Sequence, residues 1–338
     1  MPLLSDNPMT TLYIDRKNIS LTIENQALVF YEDHIRTATV PLNIIERICI
    51  KGSLQLNATT LGKLGAQGIG VLVLSGKQQQ PALMMPNWKL DARRRALQYT
   101  QSQQPDTALT IAKNLISEKT RHQLQFLQYI DQTHPQSASH RRPTHDQLRQ
   151  ILDYHIPSAS CPQSLRGIEG TAAACYFQSW QSFLPQSLHF HGRNRRPPRD
   201  PLNSILSLGY TLLHFEIVKH IYLCGLDPCI GFYHSICNGR ESLACDLLEP
   251  LRPCYDRWAI GLFAQHTLLP QDFSDTPQGC RLKKNGRLNF YRAYEHAAQD
   301  WRMQIHQSCR RLLHTLTANA DQAELNTGEL QLWSDNAG

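Results

Sequence analysis

His234, Asp246 and Glu249 lie within one apolar, cysteine-rich run, "GFYHSICNGRESLACDLLEPLRP", at residues 231–253. Asp246 follows the histidine by twelve residues and Glu249 by fifteen. The two acids are three residues apart and would share one face of a helix. Pro250 and Pro253 predict that this helix ends or bends close to Glu249. Like charges on one face repel unless a cation or a donor lies between them. Two hard carboxylates and one imidazole nitrogen suit Mg²⁺ or Mn²⁺ better than Zn²⁺. The same residues also read as polar groups fringing a helix, and a histidine just past a helix end is ordinarily a capped or core group. The run alone leaves both readings open.

Two further stretches carry chemistry. Glu169 is the only acid in "GIEGTAAACYF", where it reads either as a helix N-terminal acid complementing the macrodipole or as a core-facing carboxylate needing a balancing charge. "RNRRPPRDPLN" (193–203) gathers Arg193, Arg195, Arg196 and Arg199 ahead of Asp200. Asp200 followed by Pro201 is a helix start, a capping side chain with proline at the first helical position. The arginines, stiffened by two prolines, read as a phosphate-binding arm or as a solvated loop.

The elements that must position these residues change character along the chain. Residues 1–9 read as a leader, with Met9 a second possible start. From 10 to 86 the texture is β: "NISLTIE" alternates Ile19, Leu21 and Ile23, and "ALVFYE", "RTATVP", "RICIKG" and "IGVLVLSG" are short runs between turn formers, six to eight strands in all. One helix, capped by Asn57 and closed at Gly68, interrupts them. Residues 87–315 read as a larger helical domain. Leu109, Ala112, Leu115, Ile116, Leu127 and Ile130 fall at helical spacing, "THPQSASHRRPTH" and "HIPSASCPQS" read as loops, and the long apolar helix ending at Gly225 leaves His234 beside a loop. From 316 to 338 the chain reads as a polar, frayed tail. The fold class is therefore α+β: a small N-terminal β domain followed by a larger all-α domain.

Composition narrows the function classes. Hydrophobic content of 41% and charged content of 18% over 338 residues exclude wholesale disorder. No run approaches the roughly 18 apolar residues of a membrane span, and no signal-peptide core follows Met1, so an intracellular protein with no membrane association is expected. The ten cysteines, mostly in apolar surroundings, read as reduced packing thiols without zinc-finger spacing. A net charge of +6 mildly favours a polyanionic partner.

Taken in order, "GIEG", "RPPRDPLNSILSLGYTLL", "GLDPCIGFYH" and "RESLACDLLEPLRP" behind a β domain resemble the CRISPR-associated protein one family, the integrase and endonuclease of spacer acquisition. The resemblance covers nearly the whole chain from Thr10. It implies a metal and catalytic site at Glu169, His234 and Glu249, with Asp246 as an additional ligand, loaded with Mg²⁺ or Mn²⁺. It also implies a cytoplasmic homodimer joined to the small second protein of the adaptation pair, acting on double-stranded DNA fragments and CRISPR repeat DNA, and in some relatives fused to a reverse transcriptase. On charge, Arg193, Arg195, Arg196, Arg240, Lys283 and Lys284 are the expected phosphate contacts. The rivals are a general metal-dependent nuclease on branched DNA and a non-catalytic DNA-binding scaffold.

Overall fold

The structure, a computed structural model, describes residues 10–74, 81–85, 91–194, 197–277 and 279–327. The expected leader, residues 1–9, lies outside them, as do Arg195 and Arg196. The chain forms two compact units, Met1–Lys89 with Tyr294–His296 and Leu90–Ala293 with Ala297–Gly338. The class is α+β, as expected.

The first unit comprises β1 (Thr10–Ile14), β2 (Lys17–Glu24), β3 (Ala27–Glu32), β4 (Ile35–Pro41), β5 (Ile45–Ile50), β6 (Ser53–Leu56), α1 (Ala58–Ala66), β7 (Gly70–Val73) and β8 (Ala82–Met84). One sheet runs β1-β5-β7-β8, with β8 antiparallel to an otherwise parallel set. The other runs β4-β3-β2-β6, in which only β2 and β6 pair in parallel. Two-residue turns at Asn25–Gln26 and Asp33–His34, all four with positive φ, join β2 to β3 and β3 to β4. That geometry matches the twist of the flanking strands. Ile19, Leu21 and Ile23 alternate inward as the sequence predicts and meet Ile48, Ile50 and Val71 of the other sheet in one core. The Asn57 side chain accepts from Thr60 N at 2.7 Å to start α1.

The second unit is built from α2 (Ala92–Ser102), α3 (Pro105–Thr133), α4 (Ala138–Gln150), a short α5 (Ile156–Ser158), α6 (Pro162–Ser179), α7 (Pro201–Leu223), α8 (Ser242–Leu248), α9 (Arg252–Ala264), β9 (Phe273–Thr276), β10 (Gly279–Leu282) and α10 (Lys284–Thr327). Three differences from the sequence expectation have physical causes. The stretch expected as the loop "THPQSASHRRPTH" is mostly helix α4, with Pro143 inside it. Arg141 draws it in: fully buried, its guanidinium donates to Asp131 at 2.6 Å and to Ser137 and Ser182 at 2.9 Å. The helical unit also carries the β9–β10 hairpin, too short to show a period in sequence. Finally, the expected tail boundary at 316 falls inside α10, where Leu316 is fully buried and its carbonyl accepts from the Gln101 side chain.

Packing in this unit is close. A Cβ built on Gly209 of α7 would come within 1.9 Å of the Tyr255 ring of α9, so only glycine lets that ring cross the helix. There Tyr255 donates its hydroxyl to Ile205 O at 2.8 Å. Phe126 of α3 meets Tyr176 of α6 edge-on at 6.0 Å, and both ring against Trp180. No helix of the described residues is long and apolar enough to cross a membrane.

Candidate active site

Two helical turns before the Phe126–Tyr176 contact, Lys119 of α3 and Glu169 of α6 face each other, so the aromatic packing sets their separation. Lys119 is buried on the apolar stripe of α3, and its ammonium donates to Glu169 and, at 2.6 Å, to Glu249 Oε2. Glu249 opens a single 3₁₀ turn, Glu249–Leu251, because Pro250 ends α8 as the sequence predicts. Its other oxygen accepts from Arg252 Nε at 3.0 Å. Burial alone would raise the Glu249 pKa. The Arg252 guanidinium and the Lys119 ammonium outweigh it and hold the carboxyl well below its usual range, so Glu249 is a carboxylate.

Arg252 is itself fixed from behind. Its guanidinium lies 4.5 Å from the centroid of the Tyr210 ring, whose hydroxyl donates to buried Asp256. Asp256 also accepts from Tyr176 at 3.2 Å. This ties the carboxylate of Glu249 to α6, α7 and α9 at once.

His234 follows α7 in a loop, as expected, and Asp246 organises that loop. The carboxylate is fully buried and accepts from the backbone N–H of Phe232, Tyr233 and His234 at 2.6, 3.0 and 2.9 Å. It also bonds His234 Nδ1 at 2.7 Å. The carboxylate, which also accepts from three backbone N–H groups, accepts here from Nδ1, and Nε2 is the ring nitrogen it leaves unengaged. A Cβ on Gly231 would approach Asp246 Oδ2 to 2.8 Å, so the cradle needs glycine there. The expectation that Asp246 is a metal ligand is thus corrected: both oxygens are engaged by the loop and the imidazole, and the residue orients His234 instead. Asp246 and Glu249, expected to share one cation across a helix face, are satisfied by separate sets of donors.

Glu169, Glu249 and His234 belong to one neighbourhood. Tyr233 is buried with its phenol pKa raised, first by burial and then by the Glu169 and Glu249 charges, and His234 bears electrostatically on Glu249. The donor chemistry, two carboxylates and one oriented imidazole, fits a hard divalent cation. Among the described residues, however, no three of His, Cys, Asp and Glu stand as a ready metal cluster, and the ammonium of Lys119 lies between the two glutamates.

The arginine expectations divide. Arg193 turns inward rather than toward solvent: it donates to Asn203 Oδ1 at 2.7 Å and Ser207 Oγ at 3.2 Å, and lies over the Tyr210 ring. It is corrected to a residue that braces the start of α7, where the Asp200 side chain accepts from Asn203 N at 2.8 Å. Arg240, in the loop after His234, is exposed, as are Lys283 and Lys284 where β10 passes into α10. Lys119 and Arg252 are missed by the sequence reading. A lysine three residues after Ile116, on the apolar stripe, was the available signal for the first, and a position three after Glu249 for the second.

His214 of α7 links that helix to the residue before α8, bonding Glu241 through Nε2 at 2.5 Å. Burial would lower its pKa, but hydrogen bonds to Cys245 and Glu241 outweigh burial and lift it to about 9. A raised folded-state value contributes stability in full below the unfolded value of 6.5 and loses it as pH rises through about 9. The melting temperature should therefore fall across that window, and His214→Gln should flatten the fall. Equal slopes in the two proteins would show the pair to be without consequence.

The family model described as CRISPR associated protein Cas1 matches residues 12–296. A CRISPR-associated endonuclease Cas1 1 of Thermodesulfovibrio yellowstonii is 38% identical over 315 residues, 90% of this chain and 98% of that protein. In fold the chain is similar to a casposase bound to integration product, with a TM-score of 0.80 at 22% identity over 92% of this chain and 91% of that one. It is also similar to a chain of a Cas6-RT-Cas1–Cas2 complex, with a TM-score of 0.79 at 22% identity over 94% of this chain and 36% of that one. At such identity the two structures speak for the fold alone.

Proposed function

We propose, for a chain that belongs to the CRISPR associated protein Cas1 family, that it is a metal-dependent DNA endonuclease and integrase of CRISPR adaptation. The observation that carries this reading is the convergence of Glu169, from α6, and Glu249, from the turn after α8, on one cationic centre beside a histidine oriented by a buried aspartate. The name of its relative, an endonuclease, supports the same class of chemistry.

Glu169, Glu249 and Nε2 of His234 would hold Mg²⁺ or Mn²⁺, which supplies Lewis-acid polarisation of the scissile phosphate and neutralises charge on the departing 3′ oxygen. Asp246 fixes the orientation of the imidazole through Nδ1, which leaves Nε2 as the ring nitrogen that would serve a metal. Arg252, braced by Tyr210, keeps Glu249 ionised and fixed. The 3′-hydroxyl of a captured fragment forms a new P–O bond as the P–O3′ bond of the CRISPR repeat breaks. The proton leaves the attacking hydroxyl and the departing oxygen ends as a new 3′-hydroxyl. With water attacking, the same residues perform hydrolysis. The exposed Arg240, Lys283 and Lys284 would supply phosphate contacts in this reading. The partners in this reading are a second copy of the chain, the small second adaptation protein, fragment and repeat DNA in the cytoplasm and, as the composition of one structurally similar complex suggests, a reverse transcriptase.

The test mixes the protein and its small partner with a 3′-hydroxyl fragment and a repeat-bearing plasmid in Mn²⁺. Covalent joining that disappears in His234→Ala is expected. Cleavage without joining favours the nuclease, and DNA binding without either reaction favours the scaffold. Joining undiminished in His234→Ala overturns the site.

A further inference from the structure

We propose that Lys119 is a built-in counter-cation of the site: its ammonium holds Glu169 and Glu249 together in the metal-free protein, competes with the divalent ion for them, and passes to a DNA phosphate when substrate binds. The inference rests on the reading of those two glutamates as metal ligands.

Lys119 is only 6% exposed, on a helix stripe otherwise occupied by residues such as Ile116 and Leu127. A lysine at such a position is stable in its charged form only with anions to meet it. It has two, Glu169 and Glu249, while the second oxygen of Glu249 stays with Arg252. Among these four side chains two carboxylates meet two cations, so the glutamates are compensated without any added ion. Without Lys119, the glutamates would face each other with their repulsion uncompensated on the Glu169 side.

An ammonium bonded to both carboxylates occupies the place from which a divalent cation would reach the same oxygens. Two cations cannot share it, because at contact distance in a buried site their repulsion is screened little. Of the two basic residues, Lys119 is the one able to leave. Its charge is compact and sits on a flexible stem, whereas the Arg252 guanidinium is planar and lies against the Tyr210 ring. Glu169, with 22% of its side chain exposed against 7% for Glu249, marks the solvent side of the site. A phosphate arriving there can take the ammonium as the carboxylates turn to metal. Metal and DNA binding are then positively coupled through one lysine, and by linkage the coupling is reciprocal.

The test is Mn²⁺ titration of the full chain, read by calorimetry and by the electron paramagnetic resonance of free Mn²⁺, alongside thermal melting. Without DNA, Lys119→Met should bind Mn²⁺ at least about tenfold more tightly than wild type, and Lys119→Arg, which keeps the charge, within about threefold of wild type. Metal-free Lys119→Met should melt lower than wild type and recover with Mn²⁺, so the same experiment reports that the variant folds. Addition of duplex DNA should tighten Mn²⁺ binding in wild type and leave Lys119→Met unchanged. If Glu169→Gln abolishes Mn²⁺ binding while Lys119→Met leaves the affinity equal or weaker, the lysine inference falls and the metal reading stands. If wild type and Lys119→Met both fail to bind Mn²⁺ with or without DNA, both fall.

Discussion

Asp246→Ala is expected to lose about 3–5 kcal/mol of folding stability, together with nearly all activity. The side chain has no exposed surface, and it satisfies three backbone N–H groups and one imidazole N–H. Each buried donor left unpaired costs about 1–3 kcal/mol, less than additively because the loop relaxes around the cavity. His234 then loses both its preferred tautomer and its aim, which by itself weakens metal affinity by about 10–100-fold. Asp246→Asn separates the two effects, since the amide oxygen still accepts while the amide nitrogen cannot. It should recover part of the stability and little of the metal affinity. Urea denaturation and Mn²⁺ titration measure these, and an Asp246→Ala protein as stable as wild type would remove the residue from the role given it here.

Glu169 and Glu249 should part company when replaced, although both are candidate ligands. Glu169→Gln removes a partly exposed carboxylate and leaves Lys119 bonded to Glu249, so stability should change by no more than about 1 kcal/mol. Joining in Mn²⁺ should nevertheless slow on the order of a thousandfold, about 4 kcal/mol of barrier. Glu249→Ala should lose activity to the same degree and also about 3–5 kcal/mol of stability, because it takes the carboxylate from Arg252 and leaves buried Lys119 with only the partly exposed Glu169. The contrast is read by running both variants through the joining assay and through urea denaturation. Equal stability losses in the two would contradict the burial difference on which the argument rests.

The candidate site was legible in sequence to the extent that its residues lie in short, ordered motifs. Glu169, His234 and Glu249 stand out because "GIEG", "GFYH" and "LLEPLRP" follow one another behind a β domain. Asp246 was visible as an acid but not in its role, since three residues of spacing suggest a shared helix face and say nothing of a backbone loop folding over one carboxylate. Arg193 was visible as a charge, and the arginine- and proline-rich stretch that follows it gave no sign that Asn203, Ser207 and Tyr210 would claim its guanidinium.

By itself the sequence determined what depends on neighbours within a turn or two. Asn57 and Asp200 cap helices because their oxygens reach the N–H three residues on. Pro250 ends α8 because proline has no N–H to give, and Ile19, Leu21 and Ile23 share a face because a strand alternates. The tertiary structure alone decided the partners of the buried charges. Lys119 meets one glutamate 50 residues away and another 130 away, and Arg141 turns an expected polar loop into helix through Asp131 and Ser182. Local rules mark a charged residue on an apolar stripe as an exception. Only the packing of α3 against α6 and the turn after α8 brings up the opposite charges that make burying it possible.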